Sequence, residues 1–303
     1  MSTIITMELV YRGQETDDHE IDMYDVAAAI AGFQRSLALT AHLVLTGEVI
    51  TQAPFMTSQV KIYATPAEAG SWKWSTKIFI ATGATLGWLN STAADSPIGH
   101  LYRSAYDYVI SEAIGAHVDY QKSLGQLYEE MKEKEKTVKP LPVEKLDAVV
   151  EKCQASITNM HRPIVMSQTA SVASIIQRLG RHTQPIGDTL TPQTYSYISF
   201  TERDKRPREF VGRISSYNIN TFKGRIYLYS EKRPISFMLD PAARTPQAVA
   251  LITTSLSKNA IERFSDEPGA DIQFTAFRNT SKTGMLKSLY VIEVESYSEA
   301  DLY

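Results

Sequence analysis

The chain contains one cysteine, Cys153, in 303 residues. A single thiol excludes a disulfide within the chain and a cysteine-rich metal site. Because disulfides are typical of secreted proteins, we predict an intracellular protein with a cytoplasmic location. The segment Met1 to Tyr11 lacks the basic start of a signal peptide, and its apolar pattern is instead typical of a β-strand.

Long apolar runs and an excess of one charge sign are also missing. The most apolar window, 78–94, is too short and too rich in Gly, Thr, Ser and Asn to span a bilayer comfortably, so we predict no membrane span. A buried helix or a subunit contact is the favoured interpretation, and a membrane-inserting segment is the alternative. Lys and Arg number 31 against 34 Asp and Glu, which gives a net charge of −3. The whole chain therefore has no strong electrostatic attraction for nucleic acid or membranes.

We find no residue set with the spacing of a known catalytic or metal-binding motif. The acidic loop Gln14 to Asp22 is rich in carboxylates, but consecutive side chains point in different directions. Cys153 falls on the apolar stripe of a predicted helix, where a thiol is first of all a small core residue. We therefore predict no catalytic residue, no metal and no cofactor. A metal- or cysteine-dependent enzyme is the least favoured alternative.

Residues 1–140 have the pattern of an α+β domain. An apolar strand over 4–11 is followed by an amphipathic helix over 23–45 and by a hairpin over 60–78, which together predict a small antiparallel sheet with helices. Helical spacing then continues over 98–136, with a broad apolar stripe in its first half. A stripe of this width predicts burial against neighbours, self-association or contact with a protein partner.

Residues 141–206 have the pattern of a helical connector with one strand. The apolar spacing predicts a helix over 143–157 and a shorter helix over 167–180. Alternating residues predict a strand over 195–200, and the charged run 202–209 predicts a link into the last domain.

Residues 207–303 have the pattern of a small β-barrel domain. The stretch 210–239 predicts three consecutive strands, a capped helix follows up to Ile261, and two more strands are predicted over 272–276 and 286–294. Strand, strand, strand, helix, strand, strand is the order of a five-stranded OB-like barrel, and an SH3-like barrel is the alternative. The fold class is therefore α+β.

The second and third strands of such barrels often bind oligonucleotides or oligosaccharides. Basic and aromatic residues alternate in this part of the chain, as neutralisation of phosphates and stacking of bases require. From Phe200 onward the chain contains 15 Lys and Arg and 13 Asp and Glu, which is a small local excess of positive charge. The candidate nucleic-acid-binding residues are Arg213, Lys223, Arg225, Tyr227, Tyr229, Lys232 and Arg233.

Three features of the chain occur together: the helix after the first strand, Gly70-Ser71-Trp72 in the hairpin, and the sequences VGRI and KGRIYLY near the end. They carry a resemblance to an uncharacterised bacterial family, a domain of unknown function with an N-terminal α/β-helical domain and a C-terminal five-stranded β-barrel. It spans most of the chain and implies no catalytic residue. It does imply a bacterial or prophage origin and a role in conflict with phages.

Two hypotheses about function follow. The first is a non-enzymatic binding or assembly protein, whose helices over 98–136 self-associate or contact a partner and whose barrel is a recognition module. The second makes the barrel a binder of single-stranded nucleic acid.

Overall fold

The computed structural model describes most of the chain, and its contacts divide it into two units, 1–199 and 200–303. The described residues are 2–50, 60–65, 72–81, 91–92, 97–116, 141–179, 182–261 and 270–297.

The first unit is built on an antiparallel sheet. Its strands are β1 (Ser2–Arg12), β2 (Val60–Thr65), β3 (Lys73–Ala81), β4 (Ser91–Thr92), β5 (Val172–Leu179) and β6 (His182–Leu190). The strand order is β2-β3-β1-β5-β6, and the short β4 runs parallel to the start of β1. The central strand, β1, pairs with β3 on one side and with β5 on the other.

Helices pack on one face of this sheet. Alternate residues of β1, among them Met7 and Leu9, are fully buried and form one core with the apolar residues of the helices. Trp72 and Trp74 stack on each other with ring centroids 6.5 Å apart and pack against that core. The helices are α1 (Met23–Thr46), α2 (Pro97–Ile114), α3 (Val143–Met160), α4 (Arg162–Val165) and α5 (Pro192–Ser199).

The ends of α1 follow from local chemistry. The side chain of Asp22 accepts a hydrogen bond from the Asp25 amide and caps the first turn, and Gly47 ends the helix with a φ of 71°. By length and composition α1 is apolar enough to cross a membrane, and 61% of its most apolar window is buried inside the fold. A core helix with an apolar face against the sheet has the same composition.

Two predicted elements of the 141–206 segment are wrong. Residues 172–179 form a strand instead of a helix, because β-branched Val172, Ile175 and Ile176 pair along the edge of β1. Residues 192–199 form a helix instead of a strand. Thr191 precedes Pro192 at the first helical position, and its hydroxyl accepts from the Thr194 amide.

The domain boundaries also differ from the prediction. Residues 141–199 pack within the first unit, so the segment 141–206 is not a separate connector.

Within the apolar window, residues 78–81 end β3 instead of starting a helix, and 82–90 lie outside the described residues. The predicted stripe is internal: Leu101, Tyr106 and their neighbours on α2 are buried in the core of the unit. The rest of the predicted helix, 117–136, lies outside the described residues.

The second unit is a closed five-stranded barrel. Its strands are β8 (Arg208–Asn218), β9 (Lys223–Leu228), β10 (Arg233–Leu239), β11 (Asp271–Thr280) and β12 (Leu286–Ser296), and the short β7 (Glu202–Arg203) pairs with β11. The strand order is β8-β9-β10-β12-β11, and β11 closes the barrel by pairing with β8. The β10–β12 pair is parallel and the others are antiparallel. The helix α6 (Pro246–Ile261) lies between β10 and β11, and Thr245 caps it as predicted.

Gly32 permits the close crossing of α1 and α3. A Cβ atom at this position would lie 2.3 Å from the backbone oxygen of Ser156. We expect Gly32→Ala to force the helices apart and to lower the free energy of unfolding by about 1–3 kcal/mol. Urea unfolding followed by tryptophan fluorescence measures this directly, since all three tryptophans lie in the first unit. Ala31→Ser, at the exposed neighbouring position, is the control, and equal stability of the two variants would contradict the close crossing.

His161 joins the end of α3 to the start of α5. Its Nδ1 donates to the Ile157 carbonyl at 2.8 Å, and its Nε2 lies 2.8 Å from the Thr194 hydroxyl. Burial lowers the pKa of His161 to about 4, from an ordinary value of 6.5. The unfolded chain therefore takes up a proton between these values while the folded chain does not, so this histidine reduces stability as the pH falls from 6.5 to 4.

We expect His161→Gln to be less stable than the native protein at pH 7.5, because the buried hydrogen bonds are lost. Titration of His161 lowers the free energy of unfolding of the native protein by roughly 2 kcal/mol between pH 7.5 and pH 5, and glutamine does not titrate. The difference in the free energy of unfolding between the native protein and the variant should therefore shrink by that amount at pH 5. Urea unfolding at both pH values measures it. His182→Gln, at an exposed position, is the control with the same side-chain change. A stability difference that is the same at both pH values would contradict the assignment.

Candidate nucleic-acid interface

Three of the seven predicted residues come together on the outer side of β8 and β9. Arg213 of β8 pairs in register with Tyr227 of β9, so the two side chains lie on the same face of the sheet. Tyr229 follows β9 directly, and its ring meets that of Tyr227 edge to face at 5.8 Å. The alternation of β9 produces this arrangement, because Ile226 and Leu228 fill the barrel interior.

An aspartate completes the cluster. Arg213 donates from Nε to the Tyr229 hydroxyl at 2.8 Å, and that hydroxyl donates to Asp271 at 2.7 Å. Arg213 also lies 3.5 Å from Asp271, its register partner on β11. Burial and the bond to Asp271 raise the pKa of Tyr229 above its ordinary value of 10, against the opposing effect of Arg213. Asp271 thus orients Arg213 and offsets part of its charge.

The other four predicted residues are not part of this cluster. Arg225 is only 8% exposed, although its position in β9 is outward. Arg233 donates to the Leu286 carbonyl at 2.7 Å, which ties β10 to the start of β12. Lys232 is exposed in the turn before β10, with a φ of 53°. Lys223 begins β9 and pairs in register with Asn218 and Met238, on the same face as Tyr227.

A second cluster on the outer side of the barrel escaped the sequence prediction. The guanidinium of Arg203 stacks over the ring of Tyr290 at 4.0 Å, and Arg203 donates to the Asn279 side chain at 3.2 Å. Tyr290 donates to Asp240 at 2.6 Å. This bond and one from the Ala242 amide hold the pKa of Asp240 below its usual value, and the nearby arginines act in the same direction.

A third aromatic–arginine pair lies at the turn between β8 and β9. Arg244 stacks over Phe222 at 4.6 Å and donates to the Leu239 carbonyl at 3.3 Å. Arg203 lay in the charged run that we predicted to be a connector, and Arg244 follows a strand-ending proline. Only the β7–β11 pairing and barrel closure place them beside aromatic rings, so no local pattern marked them.

The structure places the candidate nucleophile and the acidic loop in structural roles. Cys153 is fully buried, and desolvation raises the pKa of its thiol to about 12, the opposite of what a nucleophile needs. In the loop, Asp17 accepts from the Gly13 amide and Asp22 caps α1. Within the part of the chain that the structure describes, no three His, Cys, Asp or Glu side chains are grouped so as to hold a metal ion.

Comparisons with known families cover both units. The family described as Domain of unknown function (DUF7946) matches residues 7–198, and the one described as Family of unknown function (DUF7947) matches residues 206–295. Their boundary coincides with the division of the structure near residue 200. No curated protein and no solved structure matches the chain.

Proposed function

The chain belongs to the family described as Domain of unknown function (DUF7946), and we propose that its C-terminal barrel is of the OB type and binds single-stranded nucleic acid. The protein acts in this proposal by binding rather than by catalysis. Bacterial origin, a role in phage defence, self-association and a cytoplasmic location stay predictions from the sequence.

Barrel connectivity supports the OB type over the SH3-like alternative. The fifth strand, β12, returns to lie parallel to the third, β10, and closes on the fourth, β11. This is a Greek-key path, and α6 lies between the third and fourth strands. In OB barrels the second and third strands bind oligonucleotides, together with the loops after the first and fourth strands. Here these are β9, β10 and the loops 219–222 and 281–285.

The observation that carries the proposal is the convergence of Arg213, Tyr227 and Tyr229 on the outer side of β8 and β9. Tyr229 is 43% exposed, so part of this residue is accessible to a ligand. Stacking on aromatic rings and neutralisation by nearby cations are the two contributions that sequence-independent binding of single strands uses. The Arg203–Tyr290 pair repeats this chemistry on the outer side of β12.

Opposite changes in affinity are expected from two substitutions in this cluster. Tyr227→Ala removes a stacking ring and should weaken binding of fluorescein-labelled oligothymidylate by about tenfold. Asp271→Asn removes the carboxylate beside Arg213 and should strengthen binding by about two- to fivefold at low salt. Fluorescence anisotropy with the full chain measures both. The affinity of the native protein should fall steeply as salt is raised, because counterions are released on binding.

Lys258→Ala, on the exposed side of α6, is the matched control and should change affinity little. The proposal fails if the native chain binds neither single-stranded DNA nor RNA at low salt. It also fails if Tyr227→Ala and Lys258→Ala bind equally well.

A further inference from the structure

The sheet of the first unit has a second face, opposite the helices. Side chains alternate along a strand, so the neighbours of Met7 and Leu9 on β1 point away from the helical core. Residues that pair in register share a face, which places Tyr63 of β2, Lys77 of β3 and Thr6 of β1 in one row across the sheet. Arg178 of β5 continues the row beyond Thr6.

This face carries several basic side chains. Glu8 supplies the single acidic group among the described outward positions of β1, β2, β3 and β5. It is buried, lies 2.8 Å from the guanidinium of Arg178 and accepts from Ser75 at 3.0 Å. The charges of Glu8 and Arg178 therefore offset each other. The basic outward residues are Arg12, Lys61, Lys73, Lys77 and Arg178.

Aromatic side chains accompany these cations. Tyr63 is 45% exposed, and its ring contacts that of Phe79 edge to face at 5.4 Å. Lys77, which is exposed, lies opposite Tyr63 in the β2–β3 register. Lys77 and Arg178 flank β1, so their positions in the sheet are about 10 Å apart, two strand spacings. The face thus combines a ring on which a base can stack with the exposed positive charge of Lys77 on the neighbouring strand.

We infer that this face of the first unit, centred on Tyr63 and Lys77, is a second binding surface for single-stranded nucleic acid. Complementarity of charge with phosphates favours a polyanion, and the exposed ring beside Lys77 favours one that carries bases. An antiparallel sheet with helices on one side and aromatic residues on the other is a known platform for single strands. The inference rests on the first unit alone and goes beyond the function proposed for the barrel.

Two variants of the full chain test the surface. Lys77→Glu should weaken oligothymidylate binding by about five- to tenfold at low salt and reduce the slope of log affinity against log salt by about 0.7, the contribution of one phosphate contact. Tyr63→Ala should weaken binding by about tenfold. Lys152→Glu, on α3 at the helical side, is the control with the same charge change and should cause a clearly smaller loss.

Ultraviolet cross-linking of the same oligonucleotide, followed by mass spectrometry, separates this surface from the barrel. Cross-links to peptides containing Tyr63 support the inference. Cross-links confined to the barrel, together with equal affinities of Lys77→Glu and Lys152→Glu, overturn it and leave the barrel proposal standing. Cross-links to the Tyr63 peptides alone support it and contradict the barrel site. If polyglutamate competes as well as oligothymidylate and Tyr63→Ala has no effect, the face binds an acidic partner and the inference is wrong.

Discussion

Close approach of the backbones of β8 and β9 is the constraint on which the barrel and its outer surface depend. A Cβ atom on Gly212 would lie 2.2 Å from the Tyr227 oxygen, and one on Gly224 would lie 2.3 Å from the Ser216 oxygen. Only glycine fits such contacts, and glycine in a strand often marks this kind of approach. With the two strands coiled tightly, Ile226 and Leu228 face the interior and Tyr227 faces outward beside Arg213.

The first unit depends in a similar way on its central strand. β1 is used on both faces: Met7 and Leu9 contribute to the helical core, while Glu8 pairs with Arg178 on the other face. β1 is hydrogen-bonded to a neighbouring strand along each edge, and one of its faces packs against the helices. It therefore joins the β2–β3 pair and the later β5–β6 pair in one sheet. The same alternation therefore builds the fold and leaves a basic, aromatic face outside the core.

Much of the fold was predictable from local patterns, because capping residues and periodicity decide where long elements lie. Asp22, Gly47 and Thr245 marked helix ends correctly, and the alternation from Arg225 to Tyr229 marked β9. Residues 172–179 were missed since their apolar spacing is ambiguous in a short segment, and only pairing with β1, far away in the chain, makes them a strand.

The candidate site was predictable only in part for the same reason. Adjacent strands bring together Arg213, Tyr227 and Tyr229, three of the residues that the alternation of basic and aromatic side chains indicated. The partner that offsets the charge of Arg213 is Asp271, on a strand that follows after α6, and no local pattern links the two. Burial of Arg225 and the stacking of Arg203 on Tyr290 also depend on barrel closure, which residue spacing does not reveal.

The most direct measurement for the central claim is an NMR titration of the full chain, with ring-labelled tyrosine, against oligothymidylate. The chain has 16 tyrosines, some exposed on the barrel and some buried in the helical core. We expect the ring signals of Tyr227, Tyr229 and Tyr290 to shift while those of Tyr102 and Tyr106 stay in place. A titration at low salt in which no barrel tyrosine shifts would contradict it.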